Sequence, residues 1–305
     1  MKILKIADLK PSDFSQNNIA YPSPSDPPVW SSGTSYGAGD RVYYGYDIYE
    51  AVQANTGVQP DTDDGTNWKK VGMVNAYKFL DDYVNTQAEA TNADANNVYD
   101  ITVTFRTSQW HGVAVLNCDG KELYLVQKST DGTEIFTDVT INLDYSYIDD
   151  WWDYFTLPFF LKKDVYINIL PYQSDVTIII TKDNSPAKIG VIAAGTEVKV
   201  GDTLYQPTLG IIDYSKKDTD EYGNILLKQG NWAKRNSYQF VFHNLSLDHI
   251  YRSLADIRGK KTVFIGNNDS ISYETLIVYG FYRDFYIYLS GPTHSIGNIE
   301  IEGLV

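Results

Sequence analysis

A mainly β, multidomain chain with one packed α-helix is the architecture that the sequence predicts, on three observations. Apolar residues recur with a period near two from Val98 to Ile180 and again over much of 188–305, which puts alternate side chains on one face of a strand. Turn dipeptides such as Asp119-Gly120 and Asp131-Gly132 separate these runs at hairpin spacing. Only residues 247–258 keep a helical period. A length of 305 residues has room for about two or three domains, at roughly 100–200 residues each.

Residues 1–9 alternate weakly and predict a short strand, and the prolines of 21–28 favour extended backbone, so 1–28 reads as an N-terminal strand and a proline-rich linker. Residues 29–72 are aromatic and punctuated by glycines, the pattern of a small three-stranded module with tight turns. Residues 73–185 open on a turn or short helix at Asn75, pass through a polar loop at 86–97, and then alternate as a β-sandwich does. Its strands are expected near 98–105, 113–116, 123–126, 135–139, 165–169 and 176–180.

Residues 186–305 predict a C-terminal β domain, with strands at 188–200, 210–214 and 237–244, a charged loop at 216–224, and strands at 262–265, 275–289 and 297–305. Its helix, 247–258, has Leu247, Ile250, Tyr251, Leu254 and Ile257 on one face, Ser246 placed to cap the start, and Gly259 placed for a left-handed end. Pairing of residues 1–9 with this last domain would make the small module and the sandwich insertions. This domain is the expected assembly scaffold.

Charge and composition narrow the partners. A net charge of −14 argues against nucleic acid, whose binders present the opposite field. The single Cys118 allows no internal disulfide or zinc site and reads as a buried thiol. No stretch approaches about 18 apolar residues, and charges break the apolar run at the start, so neither membrane insertion nor a secretory leader is expected. His111, His243, His249 and His294 are scattered, and neither a nucleophile elbow nor a phosphate-cradling glycine loop occurs, so no catalytic residue and no cofactor is expected. What stands out is 25 Tyr in a chain of ordinary polarity.

Three acidic groups bear on metal or hydrolytic chemistry. Asp61, Asp63 and Asp64 before Gly65, and Asp218, Asp220 and Glu221 before Gly223, look like calcium loops. Position 12 is Gly72 in the first and Gln229 in the second, where a closing acid belongs, so Asp218 and Asp220 are weak candidates and solvated loops the simpler reading. Asp149-Asp150-Trp151-Trp152-Asp153 has carboxylates beside aromatics, as a glycosidase cleft does. Adjacent acids in one segment do not make a cleft, and a surface aromatic loop is the expectation.

The run Trp30, Tyr36-x-x-Gly39-Asp40-x-Val42-x-Tyr44-Gly45-x-x-x-Tyr49-x-Ala51, Gly57-x-x-Pro60 and Trp68-x-x-Val71-Gly72 resembles the small chitin- and cellulose-binding modules that accompany bacterial chitinases and also occur in phage tail proteins. The resemblance implies sugar binding by exposed aromatics, with Trp30, Tyr44, Tyr46 and Trp68 as candidates; for Trp30, Tyr36, Tyr49 and Trp68 the core of so small a domain is the simpler reading, and Tyr44 and Tyr46 are the ones expected to face solvent. The sequence departs from the pattern just after Ala51, where Val52-Gln53-Ala54-Asn55 replaces the adjacent aromatics.

Beyond the module, Asn75 to Asp82, Gly210 to Asn224, Ala233-Lys234-Arg235, Tyr273 to Phe285 and Ile299 to Leu304 look like a family of phage and prophage virion proteins. That resemblance runs nearly end to end. It implies a virion component of the tail, neck or collar, present in several copies, partnered by other virion proteins and by itself as a homo-oligomer, with a host-surface glycan as the ligand of the module and no enzymatic activity. Two rival readings follow from the same residues: a glycan-degrading or enzyme-accessory protein, and a structural protein whose small module contacts only other virion proteins.

Overall fold

A computed structural model of the chain describes residues 1–144, 150–156, 160–219, 221–266 and 273–305, and it is mainly β. Alternation decides where the strands pack. Ile101, Val103 and Phe105 of the strand Val98–Thr107 lie opposite Ile180, Ile178 and Val176 of Ser174–Asp183. Ile180 and Ile178 in turn lie opposite Leu123 and Leu125 of Glu122–Ser129. These residues are all buried. With Ile135–Asn142 at one edge and Phe14–Asn17 at the other, they form a five-stranded antiparallel sheet.

A ten-stranded antiparallel sheet runs Val165–Asn168, Gly112–Leu116, Val191–Lys199, Lys2–Ile6, Thr262–Ile265, Ile277–Tyr288, His294–Gly303, Trp232–His243 and Asp202–Thr203, with Thr208–Asp213 also paired to Trp232–His243. At its first end, Val113, Val115, Ile167, Ile192 and Ala194 share a core with the five-stranded sheet, which makes a sandwich. Along the same face, the register Ile3 to Phe264 to Val278 leads to a second core, closed by Ile250, Leu254 and Ile257 of the helix Leu247–Asp256. The opposite face carries a third cluster that includes Leu4, Leu116, Val263, Ile277 and Tyr279. Burying each such Leu, Ile or Val contributes about 1.5–3 kcal/mol.

Residues 1–9 do pair with the C-terminal part: Ile3 lies between Val198 and Phe264. Because Gly112–Leu116 pairs with both Val165–Asn168 and Val191–Lys199, the 185/186 boundary drawn from the sequence falls inside one hydrogen-bonded sheet. The helix is seen where its period predicts it, and Gly259 takes a φ of +68° after it. The cap differs. Ser246 makes no side-chain capping bond, and the preceding turn Asn244–Ser246 is capped instead by His243, whose Nδ1 accepts the Leu245 N–H at 3.2 Å. The expected charged loop at 216–224 is instead a hairpin, Lys216–Thr219 paired with Ile225–Lys228, whose connection includes Gly223 at φ +85°.

The small module has a three-stranded sheet, Arg41–Tyr44, Asp47–Ala51 and Trp68–Met73, and a ribbon of Ser35–Tyr36 with Asn55–Thr56. Gly45, at φ +62°, turns the first hairpin. The core is Tyr36, Val42, Tyr49, Ala51 and Trp68. The proline-rich segment before it is tied down: Asp26 accepts the N–H of Ser23 and that of Asn75, each at 2.8 Å. Asn75, itself buried, exchanges two bonds of 2.9 Å with the backbone of Glu89.

Candidate functional site

The four aromatics proposed for sugar contact occupy three different environments. Trp68 is 2% exposed, its ring meets Tyr36 at 5.2 Å, and its indole N–H donates to the Val58 carbonyl at 2.9 Å. It is a core residue and offers no face to a ligand, which corrects its candidacy. Tyr46 is partly exposed, but its ring packs on Tyr21 at 5.3 Å and on Tyr77 at 4.8 Å. Tyr21 also meets Tyr43 at 6.0 Å and donates its hydroxyl to the Gly45 carbonyl at 2.6 Å. Tyr77 continues through Phe14 and Phe79 toward Phe105, so Tyr46 belongs to an aromatic seam that joins the module to the sandwich. Burial raises the hydroxyl pKa of Tyr21 and Tyr77, with the neighbouring tyrosines adding to it, and both phenols stay protonated at neutral pH.

Trp30 and Tyr44 remain together. Their rings meet edge to face at 5.7 Å, both half-buried at the rim of the module core. Gln59 donates to the Tyr44 hydroxyl at 3.0 Å and to the Asp61 carboxylate at 2.7 Å. An indole, a phenol, an amide and a carboxylate so grouped can stack on a sugar ring and hydrogen-bond its hydroxyls. Gln59 was not a candidate in the sequence, because no motif marks it, and Asp61 was singled out only within a calcium-like loop; their signal for this site is position, on the turn that Pro60 opens beneath Tyr44.

The acidic groups have structural work. Asp63 accepts the backbone N–H of Gly65, Asn67 and Trp68 and the Asn67 side chain, bonds that hold its carboxyl below the ordinary range. Asp64 takes the Thr66 N–H. Asp218 is an exposed residue of the hairpin strand, opposite Leu226, while Asp220 lies outside the described residues. Among the described residues no group of three or more His, Cys, Asp or Glu could hold a metal ion. Asp150 accepts the Asp153 N–H at 2.8 Å at the start of the short helix Trp151–Thr156, so the expected aromatic loop is a helical knuckle; Asp149 lies outside the described residues.

A cavity of about 370 Å³ lies between the root of the 208–232 arm and the large sheet, lined in part by Leu116, Ile277, Tyr279 and Leu304. Its charges answer one another. Lys234 donates to Asp164 at 2.5 Å and to the carbonyls of Glu274 and Ile277 at 2.8 and 3.0 Å. Asp164 also accepts the Asn117 N–H at 2.9 Å. Burial, and then the Asp164 charge, raise the carboxyl pKa of Glu274. Cys118 is buried as expected; its thiol donates to the Lys163 carbonyl at 3.0 Å, and burial pushes its pKa far up, which makes it an inert thiol.

Two exposed apolar features lie elsewhere. The arm presents Leu209, Ile211, Ile225, Leu226, Leu227 and Trp232 to solvent, and every residue of its paired ribbon is exposed. The knuckle presents Trp151, Trp152 and Phe155, each more than 70% exposed. Apolar side chains left this exposed mark candidate contact surfaces. Among the described residues no helix is long and apolar enough to cross a membrane. No protein-family model matches the chain, and no curated protein matches it.

Proposed function

We propose that this chain is a structural component of a phage tail or neck, assembled in several copies, whose small module faces outward and contacts host-surface glycan. The exposed apolar arm supports assembly in several copies, since a lone two-stranded ribbon with solvent on all sides has marginal stability and gains it against a partner; the place in a phage particle rests on the sequence resemblance alone. The Trp30, Tyr44, Gln59 and Asp61 group supports the second. A single such patch binds weakly, and repetition around an assembly multiplies its effect.

Glycan microarray binding by the full chain, with Trp30→Ala and Tyr44→Ala, tests the module. Loss of at least tenfold in apparent affinity in both variants, with Gln59→Ala intermediate, is the expected result. No glycan retained by the wild type, or binding indifferent to both substitutions, would leave the protein-contact reading. That second reading draws on the seam: Tyr46, the one tyrosine of the module's first turn, already faces protein rather than solvent alone.

A further inference from the structure

Lys234 and Asp164 are distant in the order of strands and in contact in space. Asp164 immediately precedes Val165–Asn168, the first strand of the ten-stranded sheet, and Lys234 lies in Trp232–His243, with six strands between the two. The sheet curls until these strands meet, and Lys234 Nζ donates to Asp164 Oδ2 at 2.5 Å, closer than the roughly 2.7–2.9 Å usual for an ammonium on a carboxylate. Among the described residues no ion pair is more deeply buried.

The surroundings suit a reaction between the two groups. An amine and a carboxyl condense only where both can shed their charge, and an environment poor in water favours the neutral forms. This pair borders the cavity wall of Leu116, Ile277, Tyr279 and Leu304. Glu274 lines the same wall, its carboxyl close enough to feel the charges of both Asp164 and Lys234, and burial keeps that carboxyl in its acid form further up the pH range than an exposed one. The carbonyls of Glu274 and Ile277 accept from Nζ at 2.8 and 3.0 Å. A neutral amine has two N–H bonds, which these carbonyls engage, and its lone pair is then turned toward Asp164. The Asn117 N–H donates to Asp164 Oδ1 at 2.9 Å, the oxygen on which charge develops when the carboxyl carbon is attacked.

We propose that Lys234 and Asp164 join in an intramolecular isopeptide bond, with Glu274 relaying the protons. The ammonium passes one proton to Asp164 Oδ2, and the neutral nitrogen attacks Cγ. The Nζ–Cγ bond forms, Glu274 takes a proton from the nitrogen and gives one to Oδ2, and the Cγ–Oδ2 bond breaks with release of one water. Glu274 ends protonated, as it began, and neither an oxidant nor a second chain takes part. Until the bond forms, the two side chains act as an ion pair. Once formed, it fastens two strands from opposite ends of the large sheet, 70 positions apart in the chain, so that the curl cannot open without breaking a covalent bond. The proposal stands apart from the phage and glycan readings above.

Intact-mass measurement of the denatured full chain tests it, followed by tryptic mapping. Wild type is expected about 18 Da below its sequence mass, for the water lost, with the peptide that holds Asp164 joined to the one that holds Lys234. Asp164→Ala and Lys234→Arg are each expected at full sequence mass. Asp164→Asn is expected to lose about 17 Da, because ammonia is then the leaving group. Glu274→Gln, shown to be folded by circular dichroism, is expected to keep its full mass, a readout that a packing role for Glu274 would not move. Wild type at full sequence mass overturns the proposal, whatever the variants do. So does a loss of water that maps elsewhere, as to a succinimide at Asp119-Gly120 or Asp131-Gly132. A cross-link that forms equally in Glu274→Gln overturns the part given to Glu274.

Discussion

Lys234 holds three oxygens with one ammonium, and among the described residues it is the ion-pair partner of Asp164. Both side chains are more than four-fifths buried. Lys234→Ala is therefore expected to cost about 3 kcal/mol, most of it from the carboxylate left unpaired, and urea denaturation measures it directly. Glu274 tests the same wall through pH. Its folded pKa is raised by burial, so the stability it allows is complete below its unfolded value near 4.5 and is lost as pH rises through the folded value. Glu274→Gln is expected to flatten that fall, gaining on wild type in urea midpoints as pH rises above about 4.5. Asp131 works in the opposite sense, since hydrogen bonds from Ser129 and Thr133 pull its pKa down to about 2 and its contribution fades only as pH drops from near 3.8 toward that value. The sequence could mark the aromatics of the module but not sort them. Trp68 and Trp30 are the same residue type in the same motif, and only the packing of Tyr36 over one and the rim position of the other separates core from contact.

Elements were legible in proportion to how one-sided their burial is. Val98–Thr107 and Ser174–Asp183 alternate because one face meets a core, and the helix Leu247–Asp256 has its apolar stripe for the same reason. Leu254→Ala, which empties the centre of that stripe beneath Tyr282, is expected to cost about 2–5 kcal/mol in thermal or urea unfolding. Phe14–Asn17 was not foreseen: Ser15, Gln16 and Asn17 have no apolar alternation, and the strand is held by its backbone ladder to Val98–Thr107. The hairpin of Lys216–Thr219 with Ile225–Lys228 was hidden for a related reason, although the strand Thr208–Asp213 at its root falls where 210–214 was expected. With no face of it buried in its own chain, its residues need not alternate, and a run of lysines and acids reads as loop even where the backbone is paired.

At the scale of the molecule, the first strand is the piece that the sequence placed well and that most depends on everything else. Lys2–Ile6 sits in the middle of ten strands, with Ile3 in one core and Leu4 in another. Deleting residues 1–6 opens two ladder edges at once, and the expected outcome is loss of near-ultraviolet circular dichroism and of any cooperative thermal transition, rather than a modest drop in midpoint. What the sequence could not supply was the continuity of that sheet across the 185/186 position. Composition shifts there because a surface turn intervenes, whereas hydrogen bonding between Gly112–Leu116 and Val191–Lys199 leaves no compositional trace.

The central position of Lys2–Ile6 also sets an order of events during synthesis. Its two neighbours, Val191–Lys199 and Thr262–Ile265, are translated long after it. At roughly 5–20 residues per second, an apolar strand waits on the order of ten seconds or more for its first partner and longer for its second. Throughout that interval Ile3 and Leu4 are available to any other open strand, so yield in the cell should depend on holding chaperones and on slow, cool expression more than the stability of the finished sheet would suggest.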